Sequence, residues 1–164
     1  MKTFFGLILS FLSFAVSARG YSVNVLSTGV EVKGGQHLLE MQVWNCSNHD
    51  IEVPFGNLPW AGNTLGLVLY PVEKIRGVPL KEESPIADFP STGIKIKAGG
   101  YIEGDAQLEP RFGDLSRYDK SDGLLVFWSY DVSWITGGDP MIAAGVVPLG
   151  KTKLSAPSQK AGCQ

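Results

Sequence analysis

Val30-Glu31-Val32-Lys33-Gly34-Gly35-Gln36-His37-Leu38-Leu39-Glu40-Met41-Gln42-Val43-Trp44-Asn45 is the stretch whose reading decides the fold of this chain. Val30 and Val32 alternate with Glu31 and Lys33, and Leu39, Met41 and Val43 alternate with Glu40, Gln42 and Trp44. Successive side chains of a strand point to opposite faces, so this period of two marks strands with one apolar face and not a helix. Between the two runs, Gly34-Gly35 supplies the positive φ angles that a two-residue hairpin turn needs. The stretch therefore predicts an antiparallel hairpin whose returning strand covers residues 36–45.

Similar blocks lie on either side. Upstream, Tyr21, Val23 and Val25 alternate with Ser22 and Asn24, ahead of a break at Ser27-Thr28-Gly29. Downstream, continued parity sets Cys46 beside Trp44 on the more polar face, and Ser47-Asn48-His49-Asp50 is turn chemistry. Ile51, Val53 and Phe55 make a short strand that Pro54 moves to a sheet edge, because proline cannot donate to a ladder. Leu65, Leu67 and Leu69 form another strand, and Pro71 to Pro90, with four prolines, reads as loop. Ile94 and Ile96 precede Gly99-Gly100, after which Ile102, Ala106 and Leu108 alternate with charged and polar residues; this predicts a second strand pair. Phe112, Leu115 and Tyr118 pin a connection with one helical turn. Leu124 to Val132 is apolar on both parities at first, as in an innermost strand covered on both faces. Ser133 to Pro140 connects it to a last strand, Met141 to Leu149. Such a chain predicts an all-β fold, an antiparallel two-sheet sandwich of about seven to nine short strands.

The layout resembles an immunoglobulin-like sandwich of bacterial exported proteins. The residues that carry the resemblance are Leu39-x-Met41-x-Val43-x-Asn45 with Ser47, the turn Ile96-Lys97-Ala98-Gly99-Gly100, and the strand Leu124 to Tyr130. The antibody hallmark of two core cysteines around a buried Trp is absent, since Cys163 lies beyond the last strand. The resemblance implies a fold and transfers no functional residue.

Residues 1–18 read as a secretory signal peptide, with Lys2 ahead of an apolar run from Phe4 to Val16 and small residues, Val16-Ser17-Ala18, for cleavage. The expected organisation is thus 1–18 signal peptide, 19–150 one sandwich domain and 151–164 a polar tail, in a protein exported to the periplasm or the extracellular space. Removing Lys2 turns 14 basic residues into 13, against 16 acidic ones. The cations are scattered, which argues against a nucleic-acid partner, and no second apolar stretch reaches membrane length. Export permits a disulfide, for which Cys46 and Cys163 are the only pair. Reduced thiols and a bond to another chain are the alternatives. Asn45-Cys46-Ser47 fits a glycan acceptor pattern.

No motif names a reaction. Histidine occurs only at His37, after the turn, and His49, in a polar turn, both positions where solvent exposure is the ordinary expectation. There is no Gly-x-Ser-x-Gly elbow and no zinc spacing. Asp119-Lys120-Ser121-Asp122-Gly123 lacks the ligand series of a calcium loop, and Glu103, Asp105 and Glu109 form no evident pair. No catalytic residue, metal or cofactor is therefore expected. Aromatic residues in expected loops are the stronger signal: Phe55, Leu58 and Trp60 in one, Trp134 and Ile135 in another. Trp44 is a third candidate, and the competing role for each Trp is to cap the core. Loops on a rigid sandwich commonly carry recognition, and Trp anchors interfaces well. The expected function is a non-catalytic binding domain for a protein partner, with an inhibitor or neutralising protein in view. A carbohydrate-binding module is the alternative, and a small hydrolase ranks third.

Overall fold

The computed structural model describes residues 22–61, 64–72, 78–83, 92–119, 123–149 and 162–163. The expected signal peptide, the Lys120-Ser121-Asp122 loop, most of the proline-rich stretch and most of the polar tail lie outside them. The described residues form eight strands: β1 (Val23–Lys33), β2 (Gln36–Asn45), β3 (Ile51–Pro54), β4 (Leu65–Pro71), β5 (Gly93–Ile96), β6 (Tyr101–Gln107), β7 (Leu124–Asp131) and β8 (Ile142–Leu149). Two single helical turns, α1 (Glu109–Phe112) and α2 (Ser133–Thr136), follow β6 and β7. All pairings are antiparallel, with strand orders β1-β2-β6, β3-β5 and β4-β7-β8. The fold is all-β, as the alternating pattern predicts.

The hairpin forms where the glycines place it, with φ of 59° at Gly34 and 81° at Gly35, both in the left-handed region. Upstream, the Ser27-Thr28-Gly29 break is a bulge within β1 and not a strand end: Ser27 pairs with Met41 and Gly29 with Glu40, leaving Thr28 extra. One extra residue flips parity. That is why apolar residues sit at odd positions before it (Val23, Val25) and at even positions after it (Val30, Val32), yet keep to one side of the sheet.

Leu39, Met41 and Val43 of β2 meet Leu65, Leu67 and Leu69 of β4 and Val126 and Tyr130 of β7 in one buried core. Val53 and Ile96, from the two-stranded ribbon, join the same core. Among the described residues β3 pairs on one side only, in keeping with the edge expected from Pro54. Phe112, Leu115 and Tyr118 pin the connection around α1 as expected, Leu115 and Tyr118 buried and Phe112 packed against the core.

Three expectations are overturned. The blocks around Gly99-Gly100 do not pair with each other: β5 joins β3 and β6 joins β2. The buried Asn45 forces this split. Its backbone N–H donates to the Gly100 carbonyl (2.9 Å), its carbonyl accepts from the Gly99 N–H (2.9 Å), and its side-chain amide donates to the Ile96 carbonyl (3.1 Å). Second, β7 is central but, among the described residues, covered on one face only, and Phe127 on the other is 36 % exposed. Third, Trp44 is buried, not displayed. Tyr101, opposite it on β6, stacks on the indole at 4.4 Å, and Gly162 of the tail lies over it so closely that a Cβ there would enter the ring. The Cys46–Cys163 disulfide holds that cover in place, with Cα atoms 5.3 Å apart.

Candidate functional site

The two aromatic loops singled out in the sequence converge. Tyr130, near the end of β7, donates its buried hydroxyl to the Asn57 carbonyl, and Asn57 donates its side-chain amide to the Trp134 carbonyl at 2.6 Å. A strand end thereby clamps both loops. Burial raises the Tyr130 hydroxyl pKa, with the nearby Asp131 charge adding to it, so this donor keeps its proton.

Asp131 organises the second loop. Its Oδ1 accepts from the backbone N–H of Ser133 (3.0 Å) and of Met141 (3.1 Å), closing residues 133–141 into a compact excursion. Those hydrogen bonds hold the Asp131 carboxyl below its ordinary pKa. Within the excursion, Ile135 and Thr136 N–H groups bond back to the Val132 carbonyl, and Gly137 ends the turn at φ 66°.

This frame sorts the five candidate side chains. Leu58 is fully buried and belongs to the core. Phe55 and Ile135 are half-buried against that core. Trp60 is half-buried as well, and its indole lies over Gly104 of β6, where any Cβ would collide with the ring. It therefore caps the sandwich. Trp134 alone of the five stands out, 53 % exposed on a turn held at both ends. Ile142, which starts β8 just after the same loop, is exposed too, and shallow concavities beside it are lined by Thr136, Asp139, Pro140 and Met141.

A second cluster escaped the sequence reading. His37, expected at the surface, is 0 % exposed. Its Nδ1 lies 2.5 Å from Glu109 Oε1 and its Nε2 lies 2.7 Å from Asp119 Oδ1, while its backbone N–H also donates to Glu109 Oε1 (2.8 Å). Two carboxylate acceptors require both ring nitrogens to carry protons, the imidazolium form. Burial works against that charge, but the hydrogen bonds and charges of Asp119 and Glu109 outweigh it and raise the His37 pKa. With both nitrogens engaged, the ring ties β2 to α1 and to the residues after it. It leaves no ring nitrogen to take a proton from a nucleophile. The only hint in the sequence was a polar residue at the head of the inward-facing series that continues with Leu39, Met41 and Val43 on β2. The ring's acceptors lie 72 and 82 residues away.

The remaining candidates resolve simply. Glu103 and Asp105 are exposed on β6. Asn45 is buried, and its side-chain amide protons go to the His49 (2.8 Å) and Ile96 (3.1 Å) carbonyls, so the folded acceptor triplet offers no free amide. Among the described residues, no helix is long and apolar enough to cross a membrane.

No protein-family model and no curated protein matches this chain. The functional reading consequently rests on the geometry above.

Proposed function

We propose that this chain is an exported recognition domain with no reaction of its own, and that it binds a protein partner through Trp134 at the end of the sandwich built by residues 55–61 and 132–142. The observation that carries this reading is the single large aromatic side chain left outward on a turn anchored by Asn57, Tyr130 and Asp131. A rigid, exposed Trp binds with little loss of conformational entropy, as interface anchors do. The intrachain disulfide supports export to the periplasm or beyond, where such bonds persist. An inhibitor or neutralising protein is the form of binding that suits a small, rigid, single-anchor surface. The strand orders β1-β2-β6 and β4-β7-β8 support an immunoglobulin-like connectivity.

The carbohydrate reading has less support, because a sugar groove needs a second ring alongside the first and Trp60 is turned into the core. The test is to immobilise the chain from Arg19 onward, expose it to envelope and secreted fractions and to a glycan array, and repeat with Trp134→Ala. That variant should unfold within about 1 kcal/mol of the parent, since the side chain is largely solvated, and should lose at least about tenfold in affinity for the captured protein. Unchanged capture by the folded variant would remove the proposed site. Retention of a glycan in place of a protein would select the alternative.

A further inference from the structure

Among the strand residues on the outer face of β4-β7-β8, Asp131 at the end of β7 is the one charged side chain. Cross-strand register sets Val68, Phe127 and Val146 in one row, and they are 42 %, 36 % and 48 % exposed. The adjacent row is Gly66, Ser129 and Ala144. A ridge of large apolar side chains therefore runs beside a trough of small ones, one two-residue step away, about 7 Å along the strands. The trough is a concavity of about 550 Å³, and among the described residues Glu82 is the one charged side chain lining it. That charge is already paired with Arg111, whose Nε donates to Glu82 Oε1 at 2.7 Å. Tyr70 meets the Phe127 ring edge-on, with centroids 5.8 Å apart, so the ridge is preorganised.

We propose that this face is a self-association surface, on which two copies of the chain pack about a two-fold axis. A ridge and a trough side by side on one face satisfy a two-fold axis running between them: the Phe127 row of each copy enters the Gly66-Ser129-Ala144 trough of the other. An isologous contact of this kind requires only that the patch complement itself. Among the described residues the charges at the face are few and engaged, Glu82 by Arg111 and Asp131 by the Ser133 and Met141 backbone N–H groups, and 13 basic against 16 acidic residues from Arg19 onward leave a net charge of only −3. From Leu124 to Trp128, β7 is also apolar on both parities, the pattern of a strand covered on both faces, and among the described residues only one of them is covered. Gly66 keeps the trough open, since a Cβ there would lie 2.5 Å from Ser129 Oγ.

A sheet face three strands wide and seven residues long measures about 15 by 23 Å, so pairing two such faces covers about 700 Å² in projection, and somewhat more as accessible surface because ridge and trough corrugate it. That lies at the small end of specific interfaces and predicts a weak dimer, half-formed at roughly ten to a few hundred micromolar protein.

Sedimentation velocity on the disulfide-intact chain from Arg19 onward, which contains every described element, tests this from about 5 µM to 1 mM. The parent should shift from monomer to dimer across that range. Val146→Lys and Ala144→Arg, each at an exposed position, place two like charges in the contact for every substitution because the axis doubles them; each should weaken dimerisation at least about a hundredfold. Trp134→Ala should leave it unchanged, which separates this surface from the one proposed above. Near-ultraviolet circular dichroism confirms that each variant is folded. A parent that stays monomeric throughout, or a dimer that survives both charged variants in folded form, overturns the proposal. A dimer lost on Trp134→Ala does so as well.

Discussion

Breaking the Cys46–Cys163 bond is the most informative perturbation of this fold. The bond joins residues 117 apart in sequence, and closing a loop of that length in the unfolded chain costs about 5 kcal/mol in the chain-entropy account. Native disulfides removed from small domains cost about 2–5 kcal/mol, so the expected loss is about 3–5 kcal/mol. For a chain of this size that lowers the thermal midpoint by roughly 10–15 °C. The bond also seats Gly162 over Trp44, where the Gly162 carbonyl accepts from the Asn24 side-chain amide at 2.8 Å. Two contributions are therefore mixed, and they separate experimentally. Urea unfolding of Cys46→Ala/Cys163→Ala should show the full loss together with a red-shifted native emission as Trp44 meets water. Gly162→Val keeps the bond, verified by mass, but drives a side chain into the indole; it should cost about 1–3 kcal/mol. If reducing the parent moves its unfolding free energy by less than about 1 kcal/mol, the staple contributes nothing of the kind argued here.

Replacing His37 with Gln leaves Glu109 and Asp119 facing each other without the cation between them. Because both carboxylates keep some contact with solvent, the expected loss at pH 6 is about 2–3 kcal/mol, below that of a fully buried pair. The folded-state pKa of His37 is raised above the ordinary value of 6.5, so its stabilisation is complete below 6.5 and fades as pH climbs through the folded value. Urea midpoints from pH 5 to 9 should therefore fall for the parent and stay flatter for His37→Gln; parallel curves would refute the clamp. Gly104→Ala should cost about 1–3 kcal/mol, because the new Cβ displaces the Trp60 ring from its seat on β6. Chemical unfolding measures that loss, and a neutral result would mean Trp60 does not cap the core.

How much was legible along the chain follows from the range of the forces involved. Alternation in β2, the positive φ at Gly34-Gly35 and the demotion of β3 by Pro54 are properties of consecutive residues, so they could be read without knowing any partner. The same holds for the parity change across Ser27-Thr28-Gly29, although its cause, an inserted residue, needed the register to be seen. Local pattern misled where a residue's surroundings arrive from far away. Trp44 shares a strand face with Gln42 and reads as exposed, until residue 162 is laid over it. His37 reads as a polar residue at a turn, until two carboxylates from beyond β6 enclose it.

The candidate site shows the same division. Its residue types, aromatic side chains among glycine, asparagine and proline, were visible in the sequence. Which ring turns inward was not, because Trp60 is drawn over a bare backbone on β6 while the Trp134 turn is held outward by Asn57, 77 residues away. The sequence by itself determined the strands, their turns and their apolar faces, since these depend on neighbours along the chain. Only the tertiary structure decided which strands pair, which faces stay uncovered and which Trp meets solvent, because those outcomes depend on long-range packing that no local pattern encodes.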